Sequence, residues 1–354
     1  MSASSDDERS ALLDWLDARL GWRRAGERMS AWQIPAATGV LHTLGGVLAF
    51  VLLIQFASGA LLLFHFSPAP DDAFASVRGL MREVPFGWFL RLLHAHGANW
   101  MMALIFVHLF HTAFTGAYQA PREILWMSGC ALLLLLLGAS LTGYILPWSQ
   151  MSYWATTVVT ATVGYTPLIG DDLMRWVRGG DAVGEATFHR AFAAHVALLP
   201  VAIVAFLALH VEQVRRHGLA PAQLGRTAGR VGTMPFFPYG VRRYALSIAV
   251  FLFFFLVGIF FAPNLFFPPE HFEPANPLLT PPRVRPEWYF LWAYHLPRIV
   301  PERVALLMQG VGVLALFGLP FLDDGAPRRR SWITAGLATA LLALIVLGVL
   351  GALE

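Results

Sequence analysis

The sequence contains no lysine and a single cysteine, Cys130. Only 13% of its 354 residues are charged, against about 25% in soluble proteins, whereas 57% are hydrophobic and the mean hydropathy is +0.59. The lone thiol excludes an intrachain disulfide and the paired-cysteine attachment of a c-type haem. The net charge of +3 is too small and too dispersed for a nucleic-acid-binding protein. These absences indicate an integral membrane protein.

Seven apolar runs are long enough to cross a bilayer core about 30 Å thick. Before them, leucines at helical spacing with four nearby arginines indicate an amphipathic helix lying at the membrane interface; a solvated polar tail is the alternative. We therefore predict an all-α polytopic membrane protein, with an amphipathic helix over 12–28 and then seven transmembrane helices. The predicted spans are 40–63, 90–115, 125–146, 190–213, 244–262, 303–322 and 332–351.

The arginines predict how the chain crosses the membrane. The N-terminus and the loops after the second, fourth and sixth spans together hold 15 arginines, and the opposite side holds 10. The positive-inside rule places the richer side, here called n, in the cytoplasm; the other side is called p. The loop after the fourth span is rich in Arg, Gly and Pro and divides the chain. The expected organisation is an interfacial segment at 1–35, a four-helix domain at 36–220, a linker at 221–243 and a three-helix domain at 244–354.

Histidines lie at matching intervals on the second and fourth spans. His94 and His108 stand at i and i+14, which in an α-helix places them within about 40° of one another and about 21 Å apart along the axis. His195 and His210 stand at i and i+15 and share nearly one face in the same way. Polar side chains at membrane depth cost free energy, so these residues are functional candidates.

Two such pairs predict two sites at different membrane depths, each with one imidazole from each helix. Imidazoles above and below a macrocycle hold an electron-transfer haem, because both axial positions are filled. Zinc would require four ligands at each level, and no acid or thiol partner is available there. A rival ligand set is His96 and His111, which also stand at i and i+15 and which we interpret as satisfied polar residues or propionate partners.

Glycines on the first and third spans repeat the histidine interval. Gly45 and Gly59 stand at i and i+14, and so do Gly129 and Gly143. Glycine lets the backbone approach a flat ring closely, so one glycine from each helix is expected at each haem level. A single glycine pair would favour close helix packing in the membrane as the explanation, but two pairs with the histidine interval favour the haem interpretation.

Further motifs make the sequence resemble cytochrome b of the cytochrome bc complexes over nearly its whole length. In the C-terminal part, Pro-Ala-Asn-Pro-Leu and Pro-Glu-Trp-Tyr-Phe occur in one p-side loop. The interval between His195 and His210 and the Asp14-Trp15 pair are similar to the cytochrome b6 type. Seven helices would correspond to cytochrome b6 and subunit IV fused in one chain. The residues that support the resemblance are 91–94, 115–123, 143–154, 274–278, 280–282 and 286–290.

The resemblance implies a function. It implies a cytochrome b subunit of a quinol:cytochrome c oxidoreductase that oxidises quinol at a p-side pocket and is coupled to proton translocation. One electron is implied to pass to a Rieske iron–sulfur partner, and the other through two non-covalent haems b to an n-side quinone. A c-type cytochrome subunit, a homodimer and a bacterial inner membrane with the N-terminus in the cytoplasm are implied in the same way.

The resemblance also implies roles for single residues. His94 and His195 resemble the ligands of the low-potential p-side haem. His108 and His210 resemble those of the high-potential n-side haem. Glu287 resembles the carboxylate that accepts a proton from quinol, and apolar walls would raise its pKa in a way that suits this role. The other implied site residues are Tyr144 and Tyr289 beside Glu287, Arg91 against a haem propionate, and Arg215 at the n-side quinone pocket.

Three residues depart from the family pattern. Thr43 stands where the b6 type has the cysteine of a covalently attached third haem, so no covalent third haem is expected. His111 stands where the family commonly has arginine, and Tyr244 where the longer type has an aspartate near the n-side pocket. Two other classes stay open: a di-haem anchor that conducts electrons for a dehydrogenase, and a haem-free transporter. The anchor would not need the Pro-Glu-Trp-Tyr loop.

Overall fold

The computed structural model describes residues 3–36, 39–220 and 232–354 of the chain. In that part seven helices are long and apolar enough to span a membrane, as the sequence predicts. These spans are Val40–Leu63, Gly87–Thr115, Glu123–Ile145, Glu185–His217, Phe236–Phe261, Glu302–Leu322 and Pro327–Leu353. The helices are α1 (Ala3–Leu20), α2 (Trp22–Ala31), α3 (Leu44–Leu63), α4 (Pro70–Glu83), α5 (Gly87–Thr115), α6 (Glu123–Ile145), α7 (Gln150–Val163), α8 (Gly170–Arg178), α9 (Glu185–Ala193), α10 (Leu199–His217), α11 (Val241–Phe261), α12 (Leu291–Ile299), α13 (Glu302–Leu322) and α14 (Pro327–Leu353).

The four-helix part consists of two antiparallel helix pairs. α3 packs along α5, and α6 packs along α10. Apolar side chains from all four helices form the core between the pairs, among them Val47, Val51, Leu92, Leu132 and Ile203. Because the helices of each pair run in opposite directions, the beginning of one lies level with the end of its neighbour. Residues at equal intervals on the four helices therefore meet at two heights.

The fourth span contains a π turn, Ala194–Leu198, between α9 and α10. Here the N–H of Leu199 donates to the carbonyl five residues back. Pro200 follows at once; it has no N–H to donate, and its ring displaces the carbonyl four residues before it. A π turn contains about one residue more than an α turn. The i, i+15 spacing of His195 and His210 therefore covers nearly the height of an i, i+14 spacing in a regular α-helix.

Short helices on the p side connect the spans, and the sequence analysis did not predict them. They are α4, α7, α8 and α12. A capping box starts α7: the Ser149 and Ser152 side chains each accept the backbone N–H of the other. The same segment contacts the distant p-side loop, because Ser149 forms a β-bridge with Pro274 and Gln150 accepts the N–H of Asn276 at 2.7 Å. The two p-side loops are thus joined.

The N-terminal segment contains two helices where the sequence analysis predicted one over 12–28. α1 and α2 meet at Gly21, whose φ of 62° is left-handed and accessible to glycine at low cost. After α2, the strand β1 (Gln33–Pro35) pairs antiparallel with β2 (Thr233–Pro235). Strands as short as these cannot show the alternation that predicts a strand. Residues 221–231 of the expected linker lie outside the described residues.

The three-helix part packs against the outside of the four-helix part. α11 contacts α3 and α5 and contributes Phe251, Phe255 and Ile259 to the apolar core. α13 contacts α6, and α14 packs along α12. The p-side loop between α11 and α12 crosses to the beginning of α7, so it covers the p-side end of the four-helix part.

Candidate functional site

Two imidazoles from different helices meet near the p side. His94 lies in α5, and His195 lies in the π turn that precedes α10. Their ring centroids are 6.2 Å apart, and their ring planes cross at 82°. Since histidine–metal bonds are about 2 Å long, this separation leaves space for one metal atom between a nitrogen of each ring. The structure thus brings together the p-side pair that the sequence predicts.

The other two predicted ligands meet near the n side. His108 and His210 line one cavity of about 810 Å³, which is bordered mainly by apolar side chains of the four helices. Gly45 and Gly129 form part of the same wall, and Arg215 lies at its n-side edge. The cavity is large enough for a cofactor of drug-like size or more.

Hydrogen bonds fix the tautomer of three of the four rings. Nδ1 of His94 is 2.9 Å from the hydroxyl of Ser58, whose own proton goes to the helix carbonyl four residues back. Nδ1 of His210 is 3.0 Å from Ser128, whose proton likewise goes to a helix carbonyl. Nδ1 of His195 donates to a carbonyl of α6 at 2.9 Å. In each ring Nδ1 is therefore the donor and Nε2 keeps the lone pair that a metal requires.

Each of the four predicted glycines faces one of these rings across a helix pair. A Cβ added at Gly143 would lie closer to the ring of His195 than Cβ atoms lie to other atoms in real proteins. A Cβ added at Gly45 would make an ordinary van der Waals contact with His108. The small residue therefore makes room for the imidazole as well as for any ring bound to it. The distances from an added Cβ to Cε1 are 3.8 Å for Gly45 and His108, 3.2 Å for Gly59 and His94, 3.2 Å for Gly129 and His210, and 2.5 Å for Gly143 and His195.

The rival histidines have other contacts. His96 is fully buried, and its Nε2 is 3.0 Å from the carbonyl of Pro263, just beyond α11. A carbonyl only accepts, so this Nε2 is protonated and has no lone pair for a metal. The ring centroids of His111 and His42 are 4.9 Å apart in an edge-to-face contact, and both residues line the n-side cavity. Within the described residues, no group of three or more His, Cys, Asp or Glu side chains converges as for a bare metal ion.

Two predicted arginines lie at opposite ends of the bundle. The guanidinium of Arg91, on the p side, lies 5.1 Å from the ring centroid of Phe267 and contacts Met81. None of the ion pairs formed by the described residues involves Arg91, although its side chain is half-buried. Arg215 is exposed at the edge of the n-side cavity. Both positions suit an anionic group of a bound molecule.

The three predicted residues of the quinol pocket line one narrow cleft. Glu287, Tyr144 and Tyr289 come together there, with Leu141 and Val159 among the apolar walls. Burial raises the pKa of Glu287 to about 7, because a charged carboxylate is poorly solvated between these walls. The carboxyl group is therefore close to half-protonated at neutral pH, which is the condition that general acid–base catalysis requires.

Two hydrogen bonds attach the Pro-Glu-Trp-Tyr loop to the four-helix part. Nε1 of Trp288 donates to Asn99 on α5 at 2.9 Å, and the hydroxyl of Tyr289 donates to Ser140 on α6 at 3.0 Å. Burial, with Glu287 nearby, raises the pKa of Tyr289 above its ordinary range, so the phenol stays a neutral donor. Glu287 lies immediately before these two anchors, so its position is fixed by both helices.

Sequence reasoning missed three residues that contact the predicted ones. His271 is 5% exposed, and its Nε2 is 3.0 Å from the hydroxyl of Tyr144. Its position in the p-side loop, just before Pro274, was the available signal. Ser58 and Ser128 fix the histidine tautomers but leave no signal in the spacing, because each contact joins different helices.

Family models match most of the chain. A model described as "Cytochrome b/b6/petB" matches residues 29–218. A second model, described as "Cytochrome b(C-terminal)/b6/petD", matches residues 274–354. The first match contains all four predicted haem ligands, and the second contains the Pro-Glu-Trp-Tyr loop.

Individual proteins agree with the family models. The cytochrome b of Rickettsia bellii (strain RML369-C) is 37% identical over 325 residues, which cover 91% of this chain and 81% of that protein. The cytochrome b of Rhodospirillum rubrum is 35% identical over 351 residues, which cover 96% of this chain and 85% of that protein. A chain from a solved structure described as "Hyperthermophilic respiratory Complex III" superposes with a TM-score of 0.88 at 31% identity, covering 96% of this chain and 91% of that one.

Proposed function

The chain belongs to the cytochrome b family and is an integral membrane subunit of a bc-type quinol oxidoreductase, and on that basis we propose that it binds two non-covalent haems b and oxidises quinol on the p side. The observation that best supports this proposal is the cleft that joins Glu287, Tyr144 and Tyr289. Tyr144 follows Gly143, which faces His195, so the cleft adjoins the p-side imidazole pair. A di-haem anchor for a dehydrogenase would need the histidines but not this cleft.

The residues present fit haem b at both levels. His94 and His195 would hold the iron on the p side, and His108 and His210 the iron on the n side, through Nε2 where the tautomer is fixed. Haem bound at the two levels would supply one-electron transfer across most of the bilayer. Arg91, which forms no ion pair with a described residue, would meet a propionate.

Glu287 would accept a proton that quinol releases on oxidation. Quinol loses two protons with its two electrons, and an apolar cleft without an acceptor would oppose that release. Because the pKa of Glu287 is near 7, its carboxylate is available at neutral pH and still binds a proton readily. The hydrogen bonds of Trp288 and Tyr289 hold the loop in place, so little reorganisation is needed.

We assign quinone reduction to the n-side cavity. Its walls are apolar except for a few polar groups, which is the usual composition of a site for a cofactor or a quinone. Arg215, with His42 and His111 in the same lining, would favour anionic groups such as propionates or a reduced quinone.

The electrons of quinol would divide between this chain and a Rieske iron–sulfur partner, with a c-type cytochrome subunit and a second copy of the chain completing the complex. The N-terminus and the 15 arginines of the richer side would face the cytoplasm of a bacterial inner membrane. Proton release on the p side and uptake on the n side would make turnover translocate protons.

Replacing Glu287 by Gln tests the proposal. The variant keeps the size and polarity of the side chain but removes the proton acceptor, so we expect quinol-dependent cytochrome c reduction to slow by at least about tenfold. In the unchanged protein the rate should rise with pH through about 7, as the carboxyl group loses its proton, and Glu287→Gln should lose that rise. Both quantities are measured in membranes that contain the whole complex.

The visible redox spectrum of the same membranes is the control. Two b-type transitions at separate potentials, extractable into acid acetone, are expected in both proteins, because the substitution lies outside the imidazole pairs. Unchanged turnover in Glu287→Gln would contradict the quinol-oxidising role, and one transition per chain would contradict the two-haem arrangement.

A further inference from the structure

A buried histidine lies directly next to the p-side cleft and has no assigned role. His271 lies on a single 3-10 turn, Pro269–Phe272, in the loop that covers the p-side end of the bundle. Its ring meets the ring of Tyr144 edge to face, with centroids 5.1 Å apart, and its Nε2 is 3.0 Å from the phenolic hydroxyl. Tyr144 lines the cleft with Glu287. One hydroxyl therefore separates the imidazole from the proposed quinol pocket.

The hydrogen-bond pattern fixes which nitrogen of His271 accepts. Nδ1 is 3.3 Å from the hydroxyl of Ser149. That hydroxyl donates to Ser152 at 3.1 Å, and Ser152 in turn donates to the carbonyl of Ser149. With its own proton used, Ser149 accepts from Nδ1–H, so Nε2 keeps its lone pair and accepts from Tyr144. The donors point in one direction, from the cleft through Tyr144 to His271.

Burial and a nearby positive charge keep the ring of His271 neutral. Burial, and then the positive charge of Arg91, lower the pKa of His271 to about 4. At neutral pH the imidazole is thus available as an acceptor, and once protonated it gives the proton up readily. The titratable groups around it are Arg91 from α5, Tyr144 from α6, Glu270 and Glu273 beside it in the chain, and Glu287 beyond Tyr144.

We propose that His271 is a second proton acceptor of this chain beside Glu287, and that it accepts, through Tyr144, a proton released when quinol is oxidised. The quinol O–H bond breaks as the phenolic oxygen of Tyr144 takes its proton, and the proton that Tyr144 held forms an N–H bond at Nε2 of His271. The imidazolium then loses a proton towards the p-side surface. The electrons leave to the one-electron acceptors of the proposed function, the iron–sulfur partner and the haem, on which this inference rests.

Replacing His271 by Asn in the membrane-bound complex tests the role. Asparagine can still hydrogen-bond to Tyr144 but cannot take a proton, so turnover at saturating quinol should fall about tenfold or more, with KM and both haem transitions unchanged. If the proton passes through Tyr144, the double variant H271N/Y144F should be no slower than Y144F alone. His65→Asn is the matched control, because it removes an exposed p-side histidine outside the cleft and should leave turnover unchanged.

The outcomes separate this inference from the proposed function. Wild-type turnover in H271N together with slow turnover in E287Q would overturn the role of His271 and leave the quinol pocket in place. Wild-type turnover in both would overturn the proposed function itself. Additive losses in the double variant, or a raised KM with an unchanged maximal rate in H271N, would mean that His271 supports the loop without accepting a proton, and would also overturn the inference.

Discussion

Four glycines differ in how closely they approach a histidine ring, and that difference decides which can be replaced. At Gly143 an added Cβ would be 2.5 Å from Cε1 of His195, a distance that real carbon contacts do not reach. At Gly45 the corresponding distance to His108 is 3.8 Å, an ordinary contact. Both glycines lie within helices, where alanine itself is favourable. The imidazole, and not the backbone, therefore requires glycine at 143.

We expect Gly143→Ala to lose the p-side haem selectively. The methyl group would displace the ring of His195, and a misplaced ligand of this kind costs about 10-fold or more in affinity for the metal centre. The visible redox spectrum should keep the n-side transition and lose or weaken the p-side one. Gly45→Ala is the matched control and should keep both. Two full transitions in Gly143→Ala would show that the ring has room that the structure does not indicate.

The sequence predicted the pairing of these residues because it depends only on helical geometry. Equal intervals on α3, α5, α6 and α10 bring glycine and imidazole to the same two heights whatever the details of packing. The contact between His271 and Tyr144 could not be predicted from the sequence, because the two residues are far apart in the chain and a loop of irregular backbone positions the histidine. The serines that fix the tautomers were equally hidden, because a serine in a membrane helix usually bonds to its own helix.

A single π turn reconciles unequal histidine intervals on neighbouring helices. His94 and His108 on α5 stand at i and i+14, whereas His195 and His210 stand at i and i+15. The additional residue is absorbed at Ala194–Leu198, directly before Pro200. In an unbroken α-helix the i, i+15 interval would place His195 about 60° from His210, on the opposite side from the offset of about 40° that the i, i+14 interval gives on α5, and the π turn removes that mismatch. The proline and the turn thus keep both rings of the span directed into the bundle.

We expect Pro200→Ala to disturb the p-side pair and spare the n-side pair. Alanine supplies an N–H and removes the clash with the preceding turn, so an α-helical hydrogen bond replaces the π turn and His195 rotates away. The p-side transition should weaken or shift, with a loss of about tenfold in haem affinity. Pro320→Ala, a helical proline on α13, is the control. An unaltered p-side transition would mean that tertiary packing alone maintains the turn.

At the level of elements, hydropathy predicts the spans but not the p-side helices. The spans follow from apolar runs that only a helix can place in a bilayer. The helices α4 and α8 have 14 and 9 residues, with acidic residues in their first turns. Hydropathy averaged over a stretch long enough to span a membrane does not reveal helices this short. They form because each packs on neighbouring helices, α4 on α5 and α8 on α7 and α9, and so buries one face.

Across the whole molecule, one buried charge cluster joins the four-helix and three-helix parts on the n side. Asp323, between α13 and α14, is 6% exposed and accepts hydrogen bonds from Tyr118 and Gln119 in the loop between α5 and α6. Arg330 pairs with the same carboxylate at 2.8 Å and donates to the last carbonyls of α5, at Ala113 and Phe114. A helix end and two loops from both parts thus share one ion pair.

Replacing Asp323 by Asn should destabilise the assembled chain without altering either haem spectrum. The substitution leaves the half-buried Arg330 without a counter-ion and turns an amide NH₂ towards groups that donate, at a cost of about 2 kcal/mol. Thermal unfolding, followed by loss of haem absorbance, should begin at a lower temperature. The neighbouring Asp324→Asn is the control: its pair with Arg329 is exposed on both sides, so little change is expected.

The pH dependence of that stability distinguishes a charged cluster from a merely packed one. Burial alone would raise the pKa of Asp323, but hydrogen bonds from Tyr118 and Arg330 outweigh it, so the pKa lies below its ordinary 3.8. A carboxyl group whose pKa is lower in the folded state stabilises the folded protein fully at any pH above its pKa in the unfolded chain. That stabilisation is lost as the pH falls through the pKa of the folded state. Near neutral pH the difference in free energy of unfolding between Asp323→Asn and the unchanged protein should therefore not vary with pH. It should shrink only below pH 3.8. If the difference shrank already between pH 7 and 5, the carboxylate would not be the group that joins the two parts.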